Sequence, residues 1–312
     1  EPELGRGLRG HPRHVVGGLE VLCFLSVVFL AGCQFPGREG PVPESLAMTR
    51  QLTQQGVAAL ERGDPRQATA ALAEAVRISP VDPDARRHFA ESLWRSGDRE
   101  QAVAHMNEAM RLTPEDATVR VRLAEMQLAL GNVEAAAKNA ADAIDRNPKL
   151  AAAWMARARV MRAQGQPRRA LADCHRALSL TPDDRDLLLM TAELYRQLNQ
   201  PQRALGTLHA LADTYGPGEE PVDVLVLEGF AYVALGRYDD AVRAYHGALA
   251  LKPDSPEVLY HLAQAQWRAG RSDDAARAAR QALALQPGHQ ESLAILQQIE
   301  IAAAADGNVQ RR

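Results

Sequence analysis

Six glycines recur at one phase of the chain. Gly63, Gly97, Gly131 and Gly165 stand 34 residues apart, and Gly236 and Gly270 continue the series with the same interval between them. Asn199 holds the place after Gly165, and only between it and Gly236 does the interval stretch, to 37. Prolines keep the same ruler at Pro80, Pro114, Pro148, Pro182, Pro253 and Pro287, and alanines keep it at Ala75, Ala109, Ala143, Ala177, Ala248 and Ala282. Three residue types in phase over about 240 residues restrict the fold to a stack of similar units. Each unit is too small to bury its apolar face alone and does so against its neighbours. Function in such a chain is expected on a surface built by many units.

One unit, Pro83 to Asp116, reads as two helices. Asp82 supplies an N-cap acceptor, and Pro83 sits in the first turn, where its missing N–H costs nothing. Phe89 and Leu93 mark an apolar face at helical spacing. Gly97 ends the helix by taking the left-handed conformation. Asp98 with Gln101 reads as a capping box for a second helix, whose buried stripe is Ala102, Met106 and Ala109, and Thr113-Pro114 closes the unit. Small residues inside the first helices (Ala90, Ala124, Ala158, Ala192, Gly229, Ala263) allow close approach of the second.

This pattern resembles the tetratricopeptide repeat, a helix–turn–helix of the same length. The sixth unit carries it most fully, in Leu225, Gly229, Tyr232, Gly236, Ala241, Tyr245, Ala248 and Pro253, and Trp154 takes the motif's tryptophan place in the fourth. The resemblance implies an all-α, right-handed α-solenoid of seven units: 49–82, 83–116, 117–150, 151–184, 185–218, 222–255 and 256–289. A capping helix is expected over 290–305, with Leu293, Leu296 and Ile299 on its apolar side, and a frayed tail over 306–312. In the fifth unit Leu211 replaces the small alanine, and Glu219, Glu220 and Pro221 fall outside the ruler. That insertion reads as a lengthened loop or as a joint that changes curvature.

The N-terminal region carries a second signal. Arg6, Arg9 and Arg13 precede an apolar run from Val21 to Ala31, too short for the roughly 20 residues a membrane span needs. Residues 1–32 therefore read as a secretory signal. Its end, Leu30-Ala31-Gly32-Cys33, resembles a bacterial lipoprotein cleavage box, which implies a covalent lipid on Cys33 and no other cofactor. Residues 33–48 then form a Pro/Gly-rich tether. The neutral Gln34 resembles outer-membrane sorting, so the expected location is the periplasmic face of the outer membrane. Glu1 is not an initiator, so the natural start is expected elsewhere. Cys23 leaves with the signal and Cys33 carries lipid, so Cys174 alone remains and no internal disulfide can form.

Composition argues against a nucleic-acid partner. The net charge is −3, and removing residues 1–32 deletes three Arg and three Glu, which leaves it unchanged. The catalytic-looking strings are weak. Gly5 to Gly10 fits GxGxxG but lies in the excised signal, with no strand before it. Asp173, Cys174 and His175 are consecutive on a helix, so their side chains fan about 100° apart and cannot form a triad. Asp183, Asp184 and Asp186 read as helix-start acids. No HExxH, paired CxxC or Walker loop occurs, so neither a metal nor an enzymatic activity is expected.

In the repeat family the first helices line a concave face that binds partner proteins. Carried over position by position, that implies Arg87, Glu91, Trp94 and Arg95 in the second unit, with Glu125, Arg159 and Arg162 in the third and fourth. Glu193 and Arg196 follow in the fifth, and Phe230, Tyr260, Gln264 and Trp267 in the last two. The family's clamp for C-terminal carboxylates needs Lys and Asn at places held here by Arg87 with Glu91 and by Val121 with Glu125. Trp94 and Trp267 stand out as anchors, each seven residues after a second polar groove residue. The chain thus reads as a lipid-anchored periplasmic scaffold that binds protein segments. It resembles tetratricopeptide lipoproteins that assist pilus secretin assembly or adapt peptidoglycan enzymes. The alternatives are a polysaccharide-export subunit, whose groove would meet glycan, and a purely structural envelope component.

Overall fold

The structure, a computed structural model, describes residues 44–216 and 218–309. The signal, Cys33 and the tether as far as residue 43 lie outside the described residues, as does Pro217. Fourteen helices form seven pairs. They are α1 (Glu44–Glu61) with α2 (Pro65–Ile78), α3 (Pro83–Ser96) with α4 (Arg99–Leu112), and α5 (Ala117–Ala129) with α6 (Val133–Arg146). Next come α7 (Ala151–Ala163) with α8 (Pro167–Leu178), and α9 (Arg185–Gln197) with α10 (Pro201–Ala212). The last pairs are α11 (Val222–Ala234) with α12 (Tyr238–Leu251) and α13 (Pro256–Arg268) with α14 (Ser272–Leu285), and α15 (Gln290–Val309) closes the stack.

The turn inside every pair is the same. Gly97 has φ +92°, its N–H donates to Trp94 O, and Asp98 N–H donates to Leu93 O, which together make a Schellman closure. Asn199 takes the same place with φ +53° and is the one non-glycine residue with positive φ among those described. Its short polar side chain tolerates the left-handed region, so Gln200 N–H still reaches Tyr195 O at 2.9 Å. Asp82 caps as the sequence predicts, and Asp64, Asp116 and Asp184 likewise accept from backbone N–H groups of their first turns. The box at Asp98 differs. Gln101 Nε2 donates to the Asp98 carboxylate at 2.7 Å, whereas a reciprocal box would have it accept from the backbone.

Two boundaries differ from the sequence reading. Helix α1 begins at Glu44, so Glu44–Met48, read from the sequence as the end of a tether, is helix. Glu44 suits the positive end of the helix dipole, and the good helix formers Leu46, Ala47 and Met48 extend the first turn. Helix α15 runs to Val309, past the expected 290–305 and into the expected tail 306–312, because the run Ala302–Ala305 carries the strongest helix propensity. Its deepest apolar residues are Ile295 and Ile299, with Leu296 half-buried beside them.

Packing inside each pair depends on matched sizes at one crossing point. Gly56, Ala90, Ala124, Ala158, Ala192, Gly229 and Ala263 share one register of the first helices. Sixteen residues later in each pair come Leu72, Met106, Ala140, Cys174, Leu208, Tyr245 and Ala279, all buried. Cys174 is thus a core thiol in a place where other units put Ala, Leu, Met or Tyr. Glycine occurs where the facing side chain is Leu72 or Tyr245.

The fifth pair joins the sixth without a break in the core. Leu211 packs with Leu188, Ala192, Leu208 and Val224, so the larger side chain joins the fifth pair to the first helix of the sixth. Arg185 of α9 ties the connection down. Its Nε donates to Thr214 Oγ1 at 3.0 Å, and its guanidinium lies 3.9 Å from the Tyr215 ring centre. Along the stack, first helices meet one another (α1 with α3, α5 with α7, α9 with α11, α13 with α15), and no two second helices come as close. The first helices therefore line the inner side of the curve.

Candidate functional site

The inner face is built from three positions per first helix, recurring with the period. Read unit by unit from the second, they are Arg87/Glu91/Trp94, Val121/Glu125/Leu128, Met155/Arg159/Arg162, Leu189/Glu193/Arg196, Val226/Phe230/Val233 and Tyr260/Gln264/Trp267. In the first four of these units the charges form a ladder between neighbouring first helices. Arg122 of α5 donates to both oxygens of Glu91 on α3, from Nε at 2.6 Å and Nη2 at 3.0 Å. Its Nη1 reaches Glu125 at 3.2 Å, and Arg159 of α7 donates to the other Glu125 oxygen at 2.9 Å. Arg162 donates to Glu193 of α9 at 2.7 Å. The hydrogen bond to Glu91 holds the Arg122 pKa above its ordinary value, outweighing the opposing effect of burial. Five residues expected to meet a partner are thus engaged within the ladder, Glu91 with Arg122, Glu125 with Arg122 and Arg159, and Arg162 with Glu193.

Arg122 was missed because its carboxylate partner sits in another unit. The signal was present in the spacing: Glu91 and Arg122 are 31 residues apart, as are Arg162 and Glu193. That separation is one period less one helical turn.

The remaining candidates separate into five places. Arg87 pairs with Asp84 at 3.2 Å and lines a cleft of ≈ 490 Å³ between α1 and α3, with Arg50, Gln54, Val57 and His88. Burial first, and then the charge of Arg87, holds the His88 pKa low. Trp94 does not line that cleft. It packs on two core clusters, one holding Phe89 and Leu93 and the other Met106 and Leu123, beneath the guanidinium groups of Arg99 and Arg122. Seven residues along a helix share a direction but are roughly 10 Å apart along the axis, enough to place them over different neighbours. Arg95 donates to Leu60 O at 3.1 Å, the C-terminal end of α1.

Tyr260, Gln264 and Trp267 come together in a cleft of ≈ 350 Å³ against α15, lined also by Arg268, Glu291 and Gln298. Gln264 Nε2 lies 3.3 Å from Tyr260 Oη. Phe230 is half-buried, edge-on to His261 with ring centres 4.6 Å apart and near Tyr245. Arg196 lies over its open side, 5.7 Å from the ring centre.

The three side chains of the Asp-Cys-His string go to different places. Asp173 takes both arms of Arg157 at 2.7 and 2.8 Å, Cys174 is fully buried with its pKa raised to about 11 by burial, and His175 meets Tyr195 Oη at 2.9 Å. Among the described residues no group of His, Cys, Asp and Glu could hold a metal ion. No described helix is long and apolar enough to cross a membrane.

Two family models, both of the tetratricopeptide repeat, match the chain. One covers residues 53–117 and 226–289, the other 93–160 and 161–217. The fold is similar to that of pilF from Pseudomonas aeruginosa, at 19% identity over 70% of this chain and 99% of that one, with a TM-score of 0.62. It is similar to PilW, a widely conserved type IV pilus biogenesis factor, at 20% identity over 67% of this chain and 96% of that one, with a TM-score of 0.62. It is also similar to YrrB, a repeat protein with an unusual peptide-binding site, at 19% identity over 60% of this chain and 95% of that one, with a TM-score of 0.54. No curated protein sequence matches the chain.

Proposed function

The chain belongs to the tetratricopeptide repeat family, and on that premise we propose that it is a non-enzymatic scaffold that binds segments of partner proteins along the inner face of its first helices. The observation that carries this is the continuity of that face. Six successive first helices, α3 to α13, present side chains at the same three positions, in one surface long enough to hold an extended segment. Likeness to the pilus biogenesis factor and to a peptide-binding repeat protein supports the reading. The lipoprotein box at Leu30–Cys33 supports a covalent lipid on Cys33 and attachment at the periplasmic face of a bacterial outer membrane. Assembly of an envelope complex is the process we infer, with a pilus secretin or a peptidoglycan enzyme as the partner class.

Site-specific photo-crosslinking tests the surface. A benzophenone amino acid at Arg159 or Gln264, on first helices, should give protein adducts in the envelope; the same probe at Lys138 or Arg280, on α6 and α14, should not. Adducts of equal yield from both faces would overturn the groove. Labelled palmitate should enter the wild-type chain and not Cys33→Ser, and a wild-type protein that is soluble after lysis would overturn the anchor.

A further inference from the structure

The ladder of ion pairs stops at one residue. Arg162 reaches the carboxylate of Glu193 in the next first helix. Arg196 occupies the following rung, at the position equivalent to Arg162, and the residue equivalent to Glu193 is Phe230. Arg196 therefore has no carboxylate to meet. It is exposed, it makes no ion pair among the described residues, and its guanidinium lies over the Phe230 ring. From that point the inner face changes character. The corresponding positions of the sixth and seventh units are Val226, Phe230, Val233, Tyr260, Gln264 and Trp267, none of them ionised. All but Gln264 are half-buried apolar or aromatic side chains packed on one core cluster.

We infer that this junction selects the partner: the bound segment places an acidic side chain on Arg196 and apolar or aromatic side chains along Phe230, Val233 and Trp267. The inference rests on the groove reading and adds the chemistry of the ligand. Charge complementarity decides the sign. The ladder arginines are neutralised by Glu91, Glu125 and Glu193, so a partner's carboxylate gains little there. At Arg196 the cation is uncompensated and lies beside an apolar surface, where a charge-assisted hydrogen bond is less screened than in open water. Phe230 holds the guanidinium through its ring face without neutralising it.

Selection of random dodecapeptides displayed on phage, against the purified full chain, tests this. Enriched peptides should carry Asp or Glu within a few residues of aromatic or aliphatic side chains. Their synthetic forms should bind Arg196→Glu about tenfold more weakly, the size of one charge-assisted contact. Selection against Arg196→Glu should enrich Lys or Arg at the same place, and Arg162→Gln should leave the acidic preference intact. Circular dichroism of each variant checks that the helices persist. Enrichment with no acidic preference, or one that Arg196→Glu does not change, overturns this inference and leaves the groove standing. No enrichment at all, or adducts confined to the second helices, overturns the groove reading and this inference with it.

Discussion

Tyr245 fills the space in which Gly229 lacks a side chain: a Cβ on Gly229 would fall under 3.0 Å from three carbons of the tyrosine ring. The ring is fully buried and flanked by Phe230 and His261, so it has no free direction in which to move. Gly229→Ala should lower stability by about 1–3 kcal/mol despite alanine's better helix propensity. Adding Tyr245→Leu should recover much of that loss, since Ala192 faces Leu208 in the fifth pair. Thermal melts of the single and double variants check it, and a double variant no better than the single would contradict the size-matching account.

The Glu91–Arg122 pair should couple α3 to α5 weakly. Both side chains are partly exposed, so solvent screening limits a double-mutant cycle with Glu91→Gln and Arg122→Gln to about 1 kcal/mol. The coupling should fall as salt rises, and urea melts at low and high ionic strength measure it. A coupling indifferent to salt would mean that packing, and not charge, joins the two residues.

Trp94 behaves as core. Trp94→Ala should cost about 3 kcal/mol, because the indole spans two apolar clusters and its loss leaves a gap in both. Photo-crosslinks from Arg159 should be retained at temperatures where the variant is folded. An unchanged melting temperature would return Trp94 to the partner surface.

Cys174 gives the stability curve a defined alkaline slope. Burial raises its pKa from the ordinary 9.0 to about 11. Below pH 9 both states hold the proton and the thiol contributes nothing to the slope. Between pH 9 and about 11 the unfolded chain releases its proton while the folded chain keeps it, so stability falls as pH rises, by ~1.4 kcal/mol per unit at most. Cys174→Ala should lose less stability than the wild type across that window. Equal losses by urea titration at about pH 8 and about pH 10 would mean the thiol is not shielded.

The turns and the helix pairs were legible in the sequence because both are local. Gly97 or Asn199 dictates its own turn through φ, and Asp82 caps its own helix, so a ruler on one chain suffices. The ladder was not read, because Arg122 is one of several polar residues on α5, and only the stacking geometry says which of them reaches back to α3. The surroundings of Trp94 were not legible for a related reason: its helical direction is set by sequence, but what lies above it depends on α4 and α5. The insertion at Glu219–Pro221 was visible as a break in spacing. That Leu211 and Arg185 keep the stack continuous across it is a matter of packing, which spacing does not encode.

The paired crossing points make the units alike in outline and unlike in fit. Gly56 accepts Leu72 and Gly229 accepts Tyr245, whereas the other five units keep Ala at the same place, so the first helices of the first and sixth units are locks cut for their own second helices. Duplication, loss or shuffling of whole pairs leaves every lock with its key. Recombination inside a pair that involves the first or the sixth unit mismatches them, setting a tyrosine against an alanine or an alanine against a glycine. The natural grain of this array therefore runs between Pro80 and Pro83, Pro114 and Ala117, and their counterparts, and chimaeras joined at those connections should fold where chimaeras that put another unit's first helix against Tyr245 should be weakened.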